Sequence, residues 1–114
     1  MKLYGITNCD TVRKARRWLD QQGIGYHYHD LRNDGIDTAT LESWLTRLPA
    51  DKLLNRRSTT WKQLDPQIRD TLRDDDIPAL LAAHPTLIKR PVLDTGNHLT
   101  TGFDDKTWLQ LING

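Results

Sequence analysis

The residues from Lys2 to Leu19 constrain the fold more than any other part of the chain. They open as a short apolar run, Leu3 to Ile6, and pass through two turn-forming residues, Thr7 and Asn8. They then reach Cys9, the one cysteine in 114 residues. Behind it Val12, Ala15, Trp18 and Leu19 recur at helical spacing, with charged residues between them. The reading is strand, tight turn, cysteine, helix, with Gly23 ending the helix just past its last periodic residue. That placement has chemical consequences. The thiolate is the nucleophilic form of cysteine, and the free N–H groups and aligned dipoles at a helix start favour negative charge. Such sites bring a free-thiol pKa of about 8.5 down to roughly 3.5–7.5. Arg13 and Lys14, one turn along, add to the effect if they lean back toward the sulfur. The alternative is a small buried hydrophobe near a helix start. Most of the basic residues on this helix read as a solvated face.

A second strand is expected over Tyr26 to Leu31, where aromatic and polar residues alternate. Strand, helix and strand make a βαβ unit with parallel strands and a right-handed crossover. His27 and His29 share one face of that strand, but no further ligand has the spacing to complete a metal site, so none is expected. Asn33-Asp34-Gly35 is a turn. Asp37 or Thr38 then caps a helix with Leu41, Trp44, Leu45 and Leu48 inward, ended by Pro49. Residues 53–64 read as short helix and loop. Arg56 and Arg57 there are either anion ligands or exposed arginines. Pro66 starts a helix over Gln67 to Asp75 with Ile68 and Leu72 inward, and another follows over Ile77 to Ala83.

From Thr86 to Thr95 the chain turns apolar and β-branched, with Pro91 marking an edge, a bulge or a cis peptide. Gly96-Asn97 is a hairpin turn and His98 to Thr101 the return strand. Asp104 or Asp105 caps a last helix with Trp108, Leu109 and Ile112 inward. The expected fold is α/β: a four-stranded mixed sheet built as β-α-β then β-β-α, in one domain. Residues 1–35 and 86–114 form its two halves, and 36–85 a helical insertion.

Composition narrows the function classes. The net charge is +1, with 37% hydrophobic and 27% charged residues, which suits a globular domain. No strong field points to nucleic acid or to a membrane, and no run of about 18 apolar residues spans one. A lone cysteine and an N-terminus that enters a strand without an apolar leader lead us to expect a reducing, cytoplasmic setting. A monomer is expected.

The cysteine at the end of the first strand and the proline opening the third resemble a thioredoxin-like fold. Three stretches, Asn8 to Ala15, Leu53-Leu54-Asn55-Arg56 and Leu87-Ile88-Lys89-Arg90-Pro91-Val92-Leu93, resemble the arsenate reductase (ArsC) family. Gly102-Phe103-Asp104, Trp18 and Trp61 look closest to its YffB-like branch. The resemblance implies that Cys9 is the nucleophile, attacking an oxidised substrate and forming a mixed disulfide with glutathione. It implies that Arg90 binds the anion or supports the thiolate, and that Pro91 is a cis-proline whose backbone pairs with the glutathione peptide. Asn8, Arg13, Arg56 and Lys89 are the further candidates for binding substrate or glutathione.

Two arginines of the arsenate site do not carry over: Asn55 and Thr101 stand where they are expected. Asp10-Thr11-Val12 also replaces the Gly-Thr-Ser typical after the cysteine. Each lost charge-assisted hydrogen bond costs about 1.5–3 kcal/mol, so two weaken oxyanion binding a hundredfold or more, by rough conversion. The expectation is therefore a glutathione-dependent thiol reductase, with no bound cofactor, glutathione as co-substrate and glutaredoxin as a further partner. The alternatives are an arsenate reductase and an Spx-type regulator that binds RNA polymerase. Val12 stands where the second cysteine of an Spx-type Cys-x-x-Cys switch would be.

Overall fold

The computed structural model describes residues 1–113. In chain order the elements are β1 (Lys2–Gly5), α1 (Asp10–Gln21), β2 (His27–Asp30), α2 (Thr38–Arg47), α3 (Ala50–Leu53), α4 (Thr59–Gln63), α5 (Pro66–Asp70), α6 (Ile77–Ala83), β3 (Val92–Asp94), β4 (Leu99–Thr101) and α7 (Asp105–Asn113). Short 3-10 turns cover Asp74–Asp76 and Pro85–Leu87. The described residues form two units, one of 1–34 with 90–113, the other of Gly35–Lys89.

The first unit holds a mixed sheet in the order β2-β1-β3-β4. β1 is parallel to β2 and antiparallel to β3, which pairs antiparallel with β4. Side chains alternate across a sheet, so the register defines its faces. Tyr28, Leu3, Leu93 and Thr100 form one row, and His29, Tyr4, Val92 and Thr101 the next. The helices cover the first face: Ala15 and Leu19 of α1 and Trp108 of α7 are buried with Leu3 and Leu93. Trp18, Tyr26, Tyr28, Phe103 and Ile112 pack around that cluster.

Both ends of α1 follow from local chemistry. At its start, a Cβ on Gly5 would lie 2.8 and 2.9 Å from the two Val12 methyls, so only glycine lets the helix sit this close to the strand. At its end, Gly23 adopts φ +69. Its N–H donates to Asp20 O at 3.1 Å, and that of Ile24 to Leu19 O at 3.0 Å. This is a Schellman ending, which a residue with a Cβ disfavours.

In the second unit Asp37 caps α2, its Oδ1 accepting from Thr40 N at 2.8 Å. Leu41 and Trp44 of α2 and Ile77, Pro78 and Leu81 of α6 are buried.

Three expectations need correction. The apolar run from Thr86 to Thr95 is not one strand. Pro85–Leu87 is a 3-10 turn, Ile88 makes a lone antiparallel bridge to Leu54, and β3 begins only at Val92. Pro91 has no N–H to give a ladder. The helix from Pro66 stops at Asp70 rather than Asp75. Asp74 to Asp76 follow, and a run of carboxylates suits the start of a helical turn, where they are found, not its end. Ile68 and Leu109 are outside, 46% and 44% exposed. α5 is too short to bury a face. On α7, Trp108 takes the inward position, and the next residue is rotated about 100° away from it.

Candidate active site

Cys9 is the N-cap of α1, with extended backbone, φ −108 and ψ 125. Its N–H donates to Ile6 O at 3.3 Å, closing a turn around Thr7 and Asn8, and its carbonyl accepts from Arg13 N at 3.0 Å. The side chain makes no capping bond. Cys9 is half-buried at the start of a 12-residue helix whose first N–H groups lack helical partners. Asn8 is exposed at the corner of the turn.

Two further candidates belong to this unit. Arg13 forms a hydrogen-bonded ion pair with Asp10, so it balances the carboxylate that follows the thiol. Arg90 is half-buried and Pro91 buried, and the peptide bond between them is cis. Tyr4 pairs with Val92, so the antiparallel register puts Arg90-Pro91 beside the end of β1 from which the Cys9 turn leaves. Pro91 O accepts from Gly102 N at 2.9 Å.

Arg56 and Lys89 lie in the other unit, and both engage Asp51. Arg56 donates to the Asp51 carboxylate at 2.6 Å and sits 5.6 Å from the Trp61 ring centroid. Lys89 Nζ donates to Asp51 O at 2.6 Å.

The structure also assembles a group that the sequence does not announce. Asp30, only 6% exposed, ends β2. Its Oδ2 accepts from Thr7 Oγ1 at 2.5 Å, and its Oδ1 from Arg32 N at 2.9 Å and Asn33 N at 3.0 Å. Thr7 and Asp30 thus tie the turn ahead of Cys9 to the end of the neighbouring strand. The Thr7 hydroxyl, helped by the Asn33 and Arg32 N–H groups, holds the Asp30 carboxyl below its ordinary value of 3.8. Beside this, Arg16 of α1 donates from Nε to Tyr26 OH at 3.1 Å and stacks its guanidinium 3.9 Å from the Tyr28 ring centroid.

The Asp30 network gives a stability prediction with a definite sign. Asp30→Asn is expected to cost about 1–2 kcal/mol near neutral pH, because charge-assisted bonds become neutral ones. A depressed carboxyl stabilises the fold above the unfolded-state pKa and stops doing so as pH falls through the folded value. The gap between wild type and variant should therefore be full above about pH 5 and close below the ordinary value of 3.8. Urea unfolding at several pH values reads it. A gap that persists in acid would show that the charge is not what Asp30 contributes.

Comparison with known proteins fits this geometry. The model of the ArsC family matches residues 4–111. The chain belongs to the ArsC family. An uncharacterised protein of Haemophilus influenzae is 42% identical to this ArsC chain over 106 residues, 93% of each. The global transcriptional regulator Spx 2 of Bacillus anthracis is 28% identical over 106 residues, 91% of this chain and 80% of its own. Among solved structures, the YFFB (PA3664) protein has a TM-score of 0.93 and 37% identity over 97% of both chains. An arsenate reductase (ArsC) related protein from Brucella melitensis has a TM-score of 0.75 and 38% identity over 96% of this chain and 91% of its own. The fold is the thioredoxin-like fold of ArsC proteins.

The ArsC chain's two departures have local structural roles. Asn55 Oδ1 accepts from Arg57 N at 3.1 Å, its carbonyl takes the Ser58 hydroxyl at 2.9 Å, and its N–H donates to Leu87 O at 2.7 Å. Thr101 pairs with Val92 at the end of β4.

Proposed function

We propose that this ArsC-family protein is a glutathione-linked thiol reductase with Cys9 as its only nucleophile. The observation that carries the reading is the half-buried thiol at the start of α1, where the unpaired N–H groups of the first turn favour a thiolate. The Cys9 thiolate attacks one sulfur of a disulfide. A bond forms to that sulfur, the old S–S bond breaks, and the other sulfur leaves as a thiolate that takes a proton from water. The protein has no second cysteine to resolve the mixed disulfide. A glutathione thiolate therefore attacks the adduct, frees Cys9, and carries the released group away as a disulfide. Arg90 supports the thiolate, while Asn8 and Arg13 flank the incoming sulfur compound. Loss of the two arginines to Asn55 and Thr101 disfavours arsenate as substrate.

The test is to mix the reduced protein with glutathione disulfide and follow intact mass. One glutathionyl group per chain, placed on Cys9 and removed by reduced glutathione, is expected. No adduct would overturn the reading. Arsenate-dependent turnover with glutathione and glutaredoxin would replace it with the arsenate alternative. Recovery of RNA polymerase with a chain that forms no adduct would replace it with the regulator.

A further inference from the structure

Backbone bonds fix the turn that delivers Cys9 at both ends. Gly5 O, at the end of β1, accepts from Leu31 N at 2.8 Å, and Ile6 O accepts from Cys9 N at 3.3 Å. Between these the tie is a side chain: the Thr7 hydroxyl donates to Asp30 Oδ2 at 2.5 Å. The acceptor is itself held on every side. Asp30 pairs with Gly5 across the sheet. Its Oδ1 takes the Arg32 and Asn33 N–H groups at 2.9 and 3.0 Å. Its own N–H donates to Asp34 Oδ2 at 3.1 Å, and its carbonyl accepts from Asp34 N at 2.8 Å. The carboxylate is therefore the fixed partner, and the turn conforms to it. Asp30 is only 6% exposed. Burying a carboxylate is a poorer source of stability than packing an apolar side chain in the same place. What the carboxylate adds is direction, because a short hydrogen bond to a charged acceptor sets both the distance and the angle of Thr7. Cys9, two residues on in the same turn, depends on direction. A cap residue reaches the free N–H groups of a helix from extended backbone, and Cys9 has φ −108 and ψ 125.

We propose that Thr7 and Asp30 are positioning residues for Cys9: their hydrogen bond clamps residues 6–9 to the end of β2 and keeps Cys9 in the extended conformation from which its thiolate meets the free N–H groups of α1. The clamp acts through the backbone of the turn. It transfers no proton and forms no covalent bond. A turn fixed in advance removes the reorganisation that a loose one needs each time the thiolate forms, whether at rest or when the mixed disulfide is cleaved. The inference rests on Cys9 being the nucleophile.

Thr7→Val removes the hydroxyl, keeps the branched shape and leaves every charge in place. The readout is the pH dependence of Cys9 alkylation by iodoacetamide in the folded protein. Asp30 titrates below its ordinary value of 3.8, so it stays charged wherever the thiol titrates and the profile reports Cys9. The profile should move to higher pH, with the rate near about pH 6 falling about three- to tenfold, the worth of one such bond. Thr7→Ser, which returns the hydroxyl, should restore the wild-type profile. A purely structural bond would lower the unfolding midpoint of Thr7→Val and leave its profile where it was. Asp30→Asn tests the clamp from the other side and decides the matter if Thr7→Val fails to fold. A weakened clamp moves the profile to higher pH, whereas loss of a negative charge acting only through space moves it to lower pH. An unmoved profile in folded Thr7→Val, or a downward shift in Asp30→Asn, with glutathione still taken up on Cys9, would overturn this inference and leave the proposed function standing. A wild-type thiol that neither forms the adduct nor alkylates faster than a free cysteine would overturn both.

Discussion

Cys9→Ser is expected to reduce thiol–disulfide exchange to the uncatalysed background. A serine hydroxyl is not ionised near neutral pH, and oxygen cannot form the mixed disulfide on which both steps depend. The chain has no other cysteine to substitute. The fold should be spared. The Cys9 side chain makes no capping bond, and the turn is built from backbone, Cys9 N to Ile6 O and Arg13 N to Cys9 O. Serine is also a better N-cap than cysteine, so stability should change by less than about 1 kcal/mol or rise. Activity with glutathione and a small disulfide substrate, measured beside an unfolding curve, separates the effects. Residual turnover at the wild-type rate would mean that the chemistry lies elsewhere in the chain.

Trp108→Ala is expected to give the largest loss of stability, about 3–5 kcal/mol. Trp108 is 1% exposed, in one cluster with Leu3, Ala15, Leu19 and Leu93. Its ring meets Phe103 edge-on at 4.9 Å and Trp18 at 6.1 Å, and its Nε1 donates to Gly102 O at 3.2 Å. Alanine removes the aromatic contacts and the hydrogen bond together and leaves a cavity beneath the sheet. Domains of this size are stable by only about 5–15 kcal/mol, so the loss is a large share of the total. Trp108→Phe keeps most of the volume and should cost less than half as much, by rough proportion. Denaturant midpoints for the two variants check the order. A loss below about 1.5 kcal/mol for alanine would mean that Trp18 and Phe103 collapse into the space.

Much of the fold is written in local pattern. Val12, Ala15 and Leu19 repeat at the helical period, and Gly23 supplies the left-handed residue that stops α1. Both signals lie within a few residues of what they control. Cys9 was legible for the same reason, since a turn and a helix start on either side define its environment. The misread segments are those where tertiary context decides. Thr86 to Thr95 has strand composition, yet Leu87 and Ile88 serve the second unit and only Val92 onward serves the sheet. The Thr7–Asp30 contact joins residues 23 apart, and no periodicity marks it. The only hint is the placement of Tyr28 and Asp30 on alternate positions of one strand. That pattern gives a shared face but not which helix covers it.

The missing side chain at Gly5 reaches further than its own position. The helix that carries the thiol leans directly on the strand backbone there, with the Val12 methyls filling the space a Cβ would need. Gly5 and Val12 therefore act as a fulcrum under the first turn of α1. Bulk added at residue 5 would lift that turn, and with it Cys9, away from the strand ends where Asp30 anchors Thr7. A position that never touches the sulfur thereby sets how far the sulfur stands from everything meant to meet it.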